Sequence, residues 1–289
     1  MKNRAKHVLM WIGLGTSLAC IFAGLGAFLF FSMDDTLERI RQIGVIRIGY
    51  AIEAPYAFVT SDGSVTGESP EVAKQIVARL GVPRIAWKQM HFEELILELE
   101  ANRIDVIAAG MFVTPDRRKR VLFSDPTFCV YQGLLVAKGN PRQLHTCPQI
   151  VADERIRVAV LAGSIEESTL REQRIPENRL VVVPDVLTGR LSIETGVADV
   201  LALSAPSVRW MVLNDRLGKT EEAVQPCHCA VQAVIAHGAF AFRHGDWRLR
   251  RSWNRAQQGF IGTREHLALL KPFGFHGEEV TRLFDGVTE

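Results

Sequence analysis

Cysteine and tyrosine are scarce in this chain, five and three residues out of 289. The cysteines are Cys20, Cys129, Cys147, Cys227 and Cys229. Setting aside Cys20, which lies in an apolar run, the other four could form at most two disulfides in an oxidising compartment, with three pairings open. A bridge from Cys147 to Cys227 or Cys229 is the ordinary expectation. Cys227-His228-Cys229 lacks the Cys-x2-Cys spacing of a zinc knuckle and a second ligand pair, so no metal is expected there. Charge of one sign is lacking too: the net charge is +2, which gives no footing for nucleic acid. No internal repeat, low-complexity tract, phosphate loop or nucleophile-base pair stands out. The chain is therefore read as a non-enzyme, with no catalytic residues and no cofactor.

Long hydrophobic runs are absent after the first. Lys2, Arg4, Lys6 and His7 precede an uncharged, largely apolar run over residues 8–33, closed by Asp34 and Asp35. It exceeds the apolar core of a cleaved signal, roughly 7 to 15 residues, and suffices for a bilayer crossing at roughly 20. Residues 1–33 are read as an uncleaved signal anchor, a transmembrane helix with its positive end in the cytoplasm. The rest would then lie on the periplasmic side of the inner membrane. A cleaved signal, releasing the chain to the periplasm, is the alternative. Cys20 is not read as a lipidation site, because Ser17 stands where leucine is usual and the apolar run continues past the cysteine.

Residues from 36 onward are enough for two lobes with cores of their own. A helix over 35–42 leads into a strand at 45–49, and Asp62-Gly63 marks a hairpin turn. A helix follows from Ser69 to Leu80, then a strand at 85–89, a helical pattern over 91–99 and a strand at 104–109. Such alternation predicts an α/β lobe with a largely parallel sheet. A strand at 131–138 serves as the outward crossover, and strands at 157–162, 180–183 and 200–203 build a second lobe. The chain returns through a hinge at 236–241, and a helical segment from Asp246 packs on the first lobe. Lobe one is thus assigned to residues 36–134 and 239–289, and lobe two to 137–236. Two crossings of this kind let lobes close on a ligand.

The stretch over 104–125 organises the rest. Its apolar strand ends at Gly110, where the backbone can turn sharply. Thr114 can cap a helix, Pro115 suits its first position, and Arg117 falls in its first turn beside unpaired N–H groups. A guanidinium there can hold a carboxylate bidentately. Loops at the carboxyl edge of the sheet bring Glu53, Tyr56, Phe92 and Phe112 towards Arg117. One cation, one carboxylate and three rings suit a small zwitterion, with Arg117 on its carboxylate and Glu53 and the ring faces on its cation. Gly163-Ser164, a turn into a helix N-terminus, either presents N–H groups to the same carboxylate or is a routine connection.

Thr114-Pro115-Asp116-Arg117 after this strand resembles the Thr-x-x-Arg element of the family 3 periplasmic solute-binding proteins, receptors of polar amino acid ABC importers. Glu-Ala-Pro-Tyr at 53–56, Thr-Gly-Glu-Ser-Pro-Glu at 66–71, Ala-Ala-Gly-Met-Phe at 108–112 and Pro-Phe-Gly-Phe at 272–275 resemble its ectoine and hydroxyectoine-binding branch. The resemblance implies a two-lobed periplasmic-binding-protein fold of type II with two hinge crossovers, working as a monomer with ABC permease subunits in the membrane. It also implies that Arg117 takes the ligand's carboxylate while Glu53, Tyr56, Phe92 and Phe112 face its cation. Ser204 departs from the family's amino-acid receptors, in which an aspartate binds the α-amino group. A primary ammonium would lose a buried counter-charge there, so a ligand with a delocalised or blocked cation fits better. A same-fold periplasmic enzyme such as a cyclohexadienyl dehydratase is the other reading, with Glu53 as the acid.

Overall fold

The computed structural model describes residues 36–223, 236–275 and 277–281. The anchor reading for residues 1–33, the Cys227-His228-Cys229 element and the lobe-two end of the return crossing lie outside the described residues. Among the described residues no helix is long and apolar enough to cross a membrane.

Among the described residues fourteen strands follow in chain order: β1 Val45–Tyr50, β2 Phe58–Val59, β3 Val65–Thr66, β4 Arg84–Gln89, β5 Val106–Ile107, β6 Val121–Phe123, β7 Phe128–Val130, β8 Gln132–Ala137, β9 Val158–Leu161, β10 Leu180–Val183, β11 Val200–Ser204, β12 Thr220–Glu222, β13 Ala236–Gly238 and β14 Ala241–Arg243. Ten of them form two five-stranded sheets, ordered β4-β1-β5-β14-β6 and β10-β9-β11-β8-β12, and the other four pair as β13-β7 and β2-β3. The first three strands of each sheet are parallel and the last two are added antiparallel. Parallel strands buried on both faces read as continuous apolar runs, which is why β9 and β11 were legible as Val-Ala-Val-Leu and Val-Leu-Ala-Leu-Ser.

β7 passes directly into β8 at Tyr131, and β13 pairs antiparallel with β7. Two crossings therefore lie side by side between the sheets. The helix Trp247–Gln258 buries Leu249, Trp253 and Gln257 and places Trp253 against Phe240 and Phe242 of the first lobe.

Two expectations need adjustment. The strand expected over 104–109 is regular only at Val106–Ile107, because its ends bond singly to β1: Asp105 N donates to Arg47 O and Ala108 N to Gly49 O. The helix expected over 91–99 begins as a 3-10 turn at Phe92–Glu94 before the α-helix Leu95–Glu100; the Glu94 carboxylate accepts from His91 N–H, tightening the start.

Asp105 ties the opening helix Thr36–Ile43 to the sheet. It is fully buried and accepts from the guanidinium and N–H of Arg47 at 2.7 to 3.1 Å, with Arg39 and Arg243 also on it. Burial pushes its carboxyl up, but the Arg47 hydrogen bonds and the charges of Arg39 and Arg47 leave it below the usual carboxylate range.

Candidate functional site

The two sheets face one another across a closed cleft, and the sequence-predicted residues gather there from both sides. After β1, Glu53 and Ala57 pair backbone to backbone, which folds Glu53 to Ala57 into a tight loop. This loop presents Glu53 and Tyr56 together. After β5, Gly110 takes a φ of +63°, and a side chain there would meet the Tyr56 ring at 2.5 Å. Glycine is required at this turn by both conformation and space.

Beyond it, Thr114 caps the short helix Pro115–Arg118, its hydroxyl accepting from Arg117 N–H at 3.2 Å. The cap orients Arg117 into the cleft. Its guanidinium donates to Phe112 O at 2.7 Å and, across the cleft, to Gly163 O at 2.8 Å. These bonds use two of the five donors of a guanidinium, so a carboxylate can still be received. The Phe92 ring lies 5.4 Å from the guanidinium carbon, within cation-π range.

Glu53, Tyr56, Phe92, Phe112, Arg117 and Ser164 line one small cavity of about 20 Å³. Gly163 and Ser204 border it through partners. Gly163 contributes its carbonyl rather than the N–H expected from the sequence, because Glu167 Oε2 accepts that N–H at 2.7 Å. The Ser164 N–H is likewise spent on Leu161 O, while its hydroxyl caps Glu167 N–H. Neither N–H is open to a ligand.

Ser204 is buried behind the cavity wall, between Tyr56 and Ser207. A relay of hydroxyls crosses the cleft: Tyr56 donates to Ser204 at 2.9 Å, Ser204 to Ser207 at 3.2 Å, and Ser207 to Glu53 Oε1 at 2.7 Å. Ser204 also caps the helix Ala205–Leu213. Tyr56 and Phe112 pack edge to face at 6.2 Å, and Tyr56 stacks on Phe128 at 5.1 Å, so both rings serve the core and the cavity wall at once. Trp210 meets Phe58 at 5.3 Å, a contact between the lobes, and is half-buried.

Sequence reading missed Glu166. It is 8% exposed, lines the same cavity from lobe two, and its Oε1 has no hydrogen-bond partner. Glu166 and Glu167 are adjacent acids in a helix start, and only the fold separates them: Glu167 bonds Gly163 and Glu166 turns inward.

Desolvation governs the electrostatics. Burial raises Glu53 to about 7, with the Ser207 hydrogen bond opposing it. Burial raises Glu166 as well, opposed first by a hydrogen bond from its own backbone, then by the charge of Arg117 and by the side chains of Ser164 and Gln132. Arg117 is lowered to about 10 by burial, against the attraction of Glu166 and Glu53. Each group is drawn towards its neutral form, the mark of charges whose partners in the protein are insufficient. Among the described residues no group of histidine, cysteine and carboxylate side chains is arranged to hold a metal. Cys147 is disulfide-bonded.

Residues 46–274 match the bacterial extracellular solute-binding proteins, family 3. A probable amino-acid ABC transporter periplasmic-binding protein, y4tE, of Sinorhizobium fredii is 29% identical over 278 residues, 94% of this chain and 91% of that one. The crystal structure of EhuB in complex with hydroxyectoine superposes with a TM-score of 0.79 at 29% identity, over 86% of this chain and 95% of EhuB. The ancestral amino acid-binding protein AncCDT-1, a precursor of cyclohexadienyl dehydratase, superposes with a TM-score of 0.73 at 22% identity, over 82% of this chain and 99% of that one.

Proposed function

We propose that this chain, which belongs to the family 3 bacterial extracellular solute-binding proteins, closes its two lobes on a small zwitterion and delivers it to the permease of an ABC importer. The observation that carries the reading is the pairing of Arg117 and Glu53 in one buried cavity with rings on its walls. Arg117 takes the solute's carboxylate. Glu53 and the faces of Tyr56 and Phe112 take its cation. Ectoine or hydroxyectoine is the leading solute, supported by the likeness to EhuB with its hydroxyectoine, and a polar amino acid or modified amino acid is next, supported by y4tE. Lobe one comprises residues 36–134 and 239–289 and lobe two residues 137–236. The apolar run before residue 34 would hold the lobes at the periplasmic face of the inner membrane, and the receptor works as a monomer.

Calorimetric titration of residues 36–289 with ectoine, hydroxyectoine, glycine betaine and polar amino acids tests this. Tight binding of a zwitterion is expected, with the ectoines foremost. An ordinary amino acid as tightest ligand would keep the receptor but move the branch. Turnover of prephenate or arogenate would replace the receptor with an enzyme whose acid is Glu53.

A further inference from the structure

The helix Trp247–Gln258 has one side in the core of lobe one and one in solvent. Leu249, Trp253 and Gln257 are buried, while Trp247, Arg251 and Arg255 recur four residues apart on the outer side, a stripe about 12 Å long. Trp247 is 37% exposed, and the Arg248 guanidinium carbon lies 5.3 Å from its ring centre. Among the described residues neither Arg251 nor Arg255 has an ion-pair partner. The acids bonded nearby are engaged elsewhere: Asp125 by Asn254 and Gln258, and Asp246 by Arg243 and Thr36. The start of this helix is also where the apolar run over 8–33 joins the lobe. Thr36 Oγ1 donates to Asp246 Oδ1 at 2.7 Å, and Asp246 directly precedes Trp247. Thr36 stands three residues beyond the end of the run, and three extended residues span at most about 11 Å. The headgroup layer is itself about 5 to 8 Å deep on each face of a bilayer.

From this placement, and resting on the reading of residues 1–33 as a retained membrane anchor, we propose that the stripe of Trp247, Arg251 and Arg255 is a docking surface for anionic phospholipid headgroups. It lays this flank of lobe one on the bilayer that the anchor crosses. A tether this short brings the start of the helix to the headgroups whatever path the tether takes. Tryptophan suits that depth, because its ring is apolar and its N–H is wet. The arginines behind it have no ion pair to break, so headgroup phosphates can be received directly. Each adds about fivefold to association with an anionic surface. Solvated arginines on a helix need no explanation by themselves; the chain connection at the tryptophan end assigns these to the membrane. None of the stripe residues lines the cavity between the lobes, so docking and solute binding are separable.

The experiment reconstitutes the full chain into vesicles of phosphatidylcholine, with or without phosphatidylglycerol, that carry nitroxide-labelled headgroups. Tryptophan quenching in wild type is compared with that in Trp247→Phe, and the difference reports Trp247 because the other tryptophans are common to both. Trp247 should be quenched in the phosphatidylglycerol vesicles. That quenching should fall by more than about twofold in phosphatidylcholine alone, in the double variant Arg251→Glu with Arg255→Glu, and at high salt. Solute affinity of the double variant should match wild type, which shows that its fold is intact; if it does not, Arg251→Gln with Arg255→Gln removes the charge without reversing it. Equal quenching in both kinds of vesicle and in the charge variants would overturn the proposal, because the tether alone would then set the depth. Absence of Trp247 quenching in protein that resists an alkaline carbonate wash would overturn it too, leaving the anchor in place and the stripe to an acidic protein partner or to water. Release of the protein by that wash would remove the anchor and the docking surface together and leave the solute-binding reading untouched.

Discussion

Asp105 and Glu53 are buried carboxylates at opposite ends of two neighbouring parallel strands of the same lobe, and they titrate in opposite directions. Asp105 is surrounded by Arg39, Arg47 and Arg243 and sits below the usual carboxylate range. Glu53 has one hydroxyl on it, shares Arg117 with Glu166, and sits at about 7. Burial acts on both, so the difference lies in the partners that the chain supplies. Where they are supplied in full, the acid is structural; where they fall short, a partner from outside completes the set. Glu68 marks the case between them, at about 7 with only the hydroxyls of Ser69 and Thr127 on it, and it supports the site indirectly because Ser69 also accepts from Gly110 N–H.

The largest expected effect breaks the under-supplied side. Arg117→Ala should weaken carboxylate-bearing solutes by about 2 to 5 kcal/mol, because the solute's buried anion would lose its partner. Calorimetric titration reads this, and affinity within threefold of wild type would remove Arg117 as the anchor. The fold should survive, since the partners it abandons are two carbonyls at the cleft surface. The reverse pattern is expected of Asp105→Asn. Three arginines would be left converging on a neutral amide, costing about 3 kcal/mol of stability, at the low end for a broken buried pair because Arg39 and Arg47 are partly exposed. Urea unfolding measures the loss, and solute affinity of the folded protein should stay within about threefold. Loss of affinity without loss of stability would erase the contrast between the two acids.

Local chemistry decides how much of this was legible. Arg117 could be read because cap, proline and first-turn position are written in consecutive residues, and the structure uses them as such. The parallel strands could be read from their apolar runs. Glu166 could not: beside Glu167, one acid looks like the other, and which turns inward depends on the packing of the helix Ile165–Glu172 against the far lobe. The Ser207 end of the hydroxyl relay was hidden for the same reason, since a serine in the first turn of a helix looks like routine capping until Glu53 is brought across the cleft. Gly163 was legible as a turn, but the direction of its N–H was fixed by a side chain four residues later. Residues whose role lies within one turn of chain were readable; those whose role joins two lobes were not.

The smallest expected effect sharpens the comparison through protons. In the solute-free closed site Glu53 titrates near 7, against an ordinary 4.5, so near neutrality a fraction of it is protonated. A bound cation favours the ionised form and draws the value back down, so binding releases a proton between these two limits and affinity rises with pH across them. Arg117, at about 10, stays charged throughout, and Tyr56, raised well above its ordinary value, stays neutral. Glu166, on the wall of the same cavity, is raised by burial too. For Glu53 alone, affinity should rise about fivefold from pH 6 to 7 and about twofold from pH 7 to 8. Titration at pH 6 in two buffers of different ionisation enthalpy should show proton release in wild type and less of it in Glu53→Gln. Equal release in the two proteins would mean that Glu53 is already ionised before the solute arrives, as Asp105 is, and the two acids would then differ in position rather than in supply.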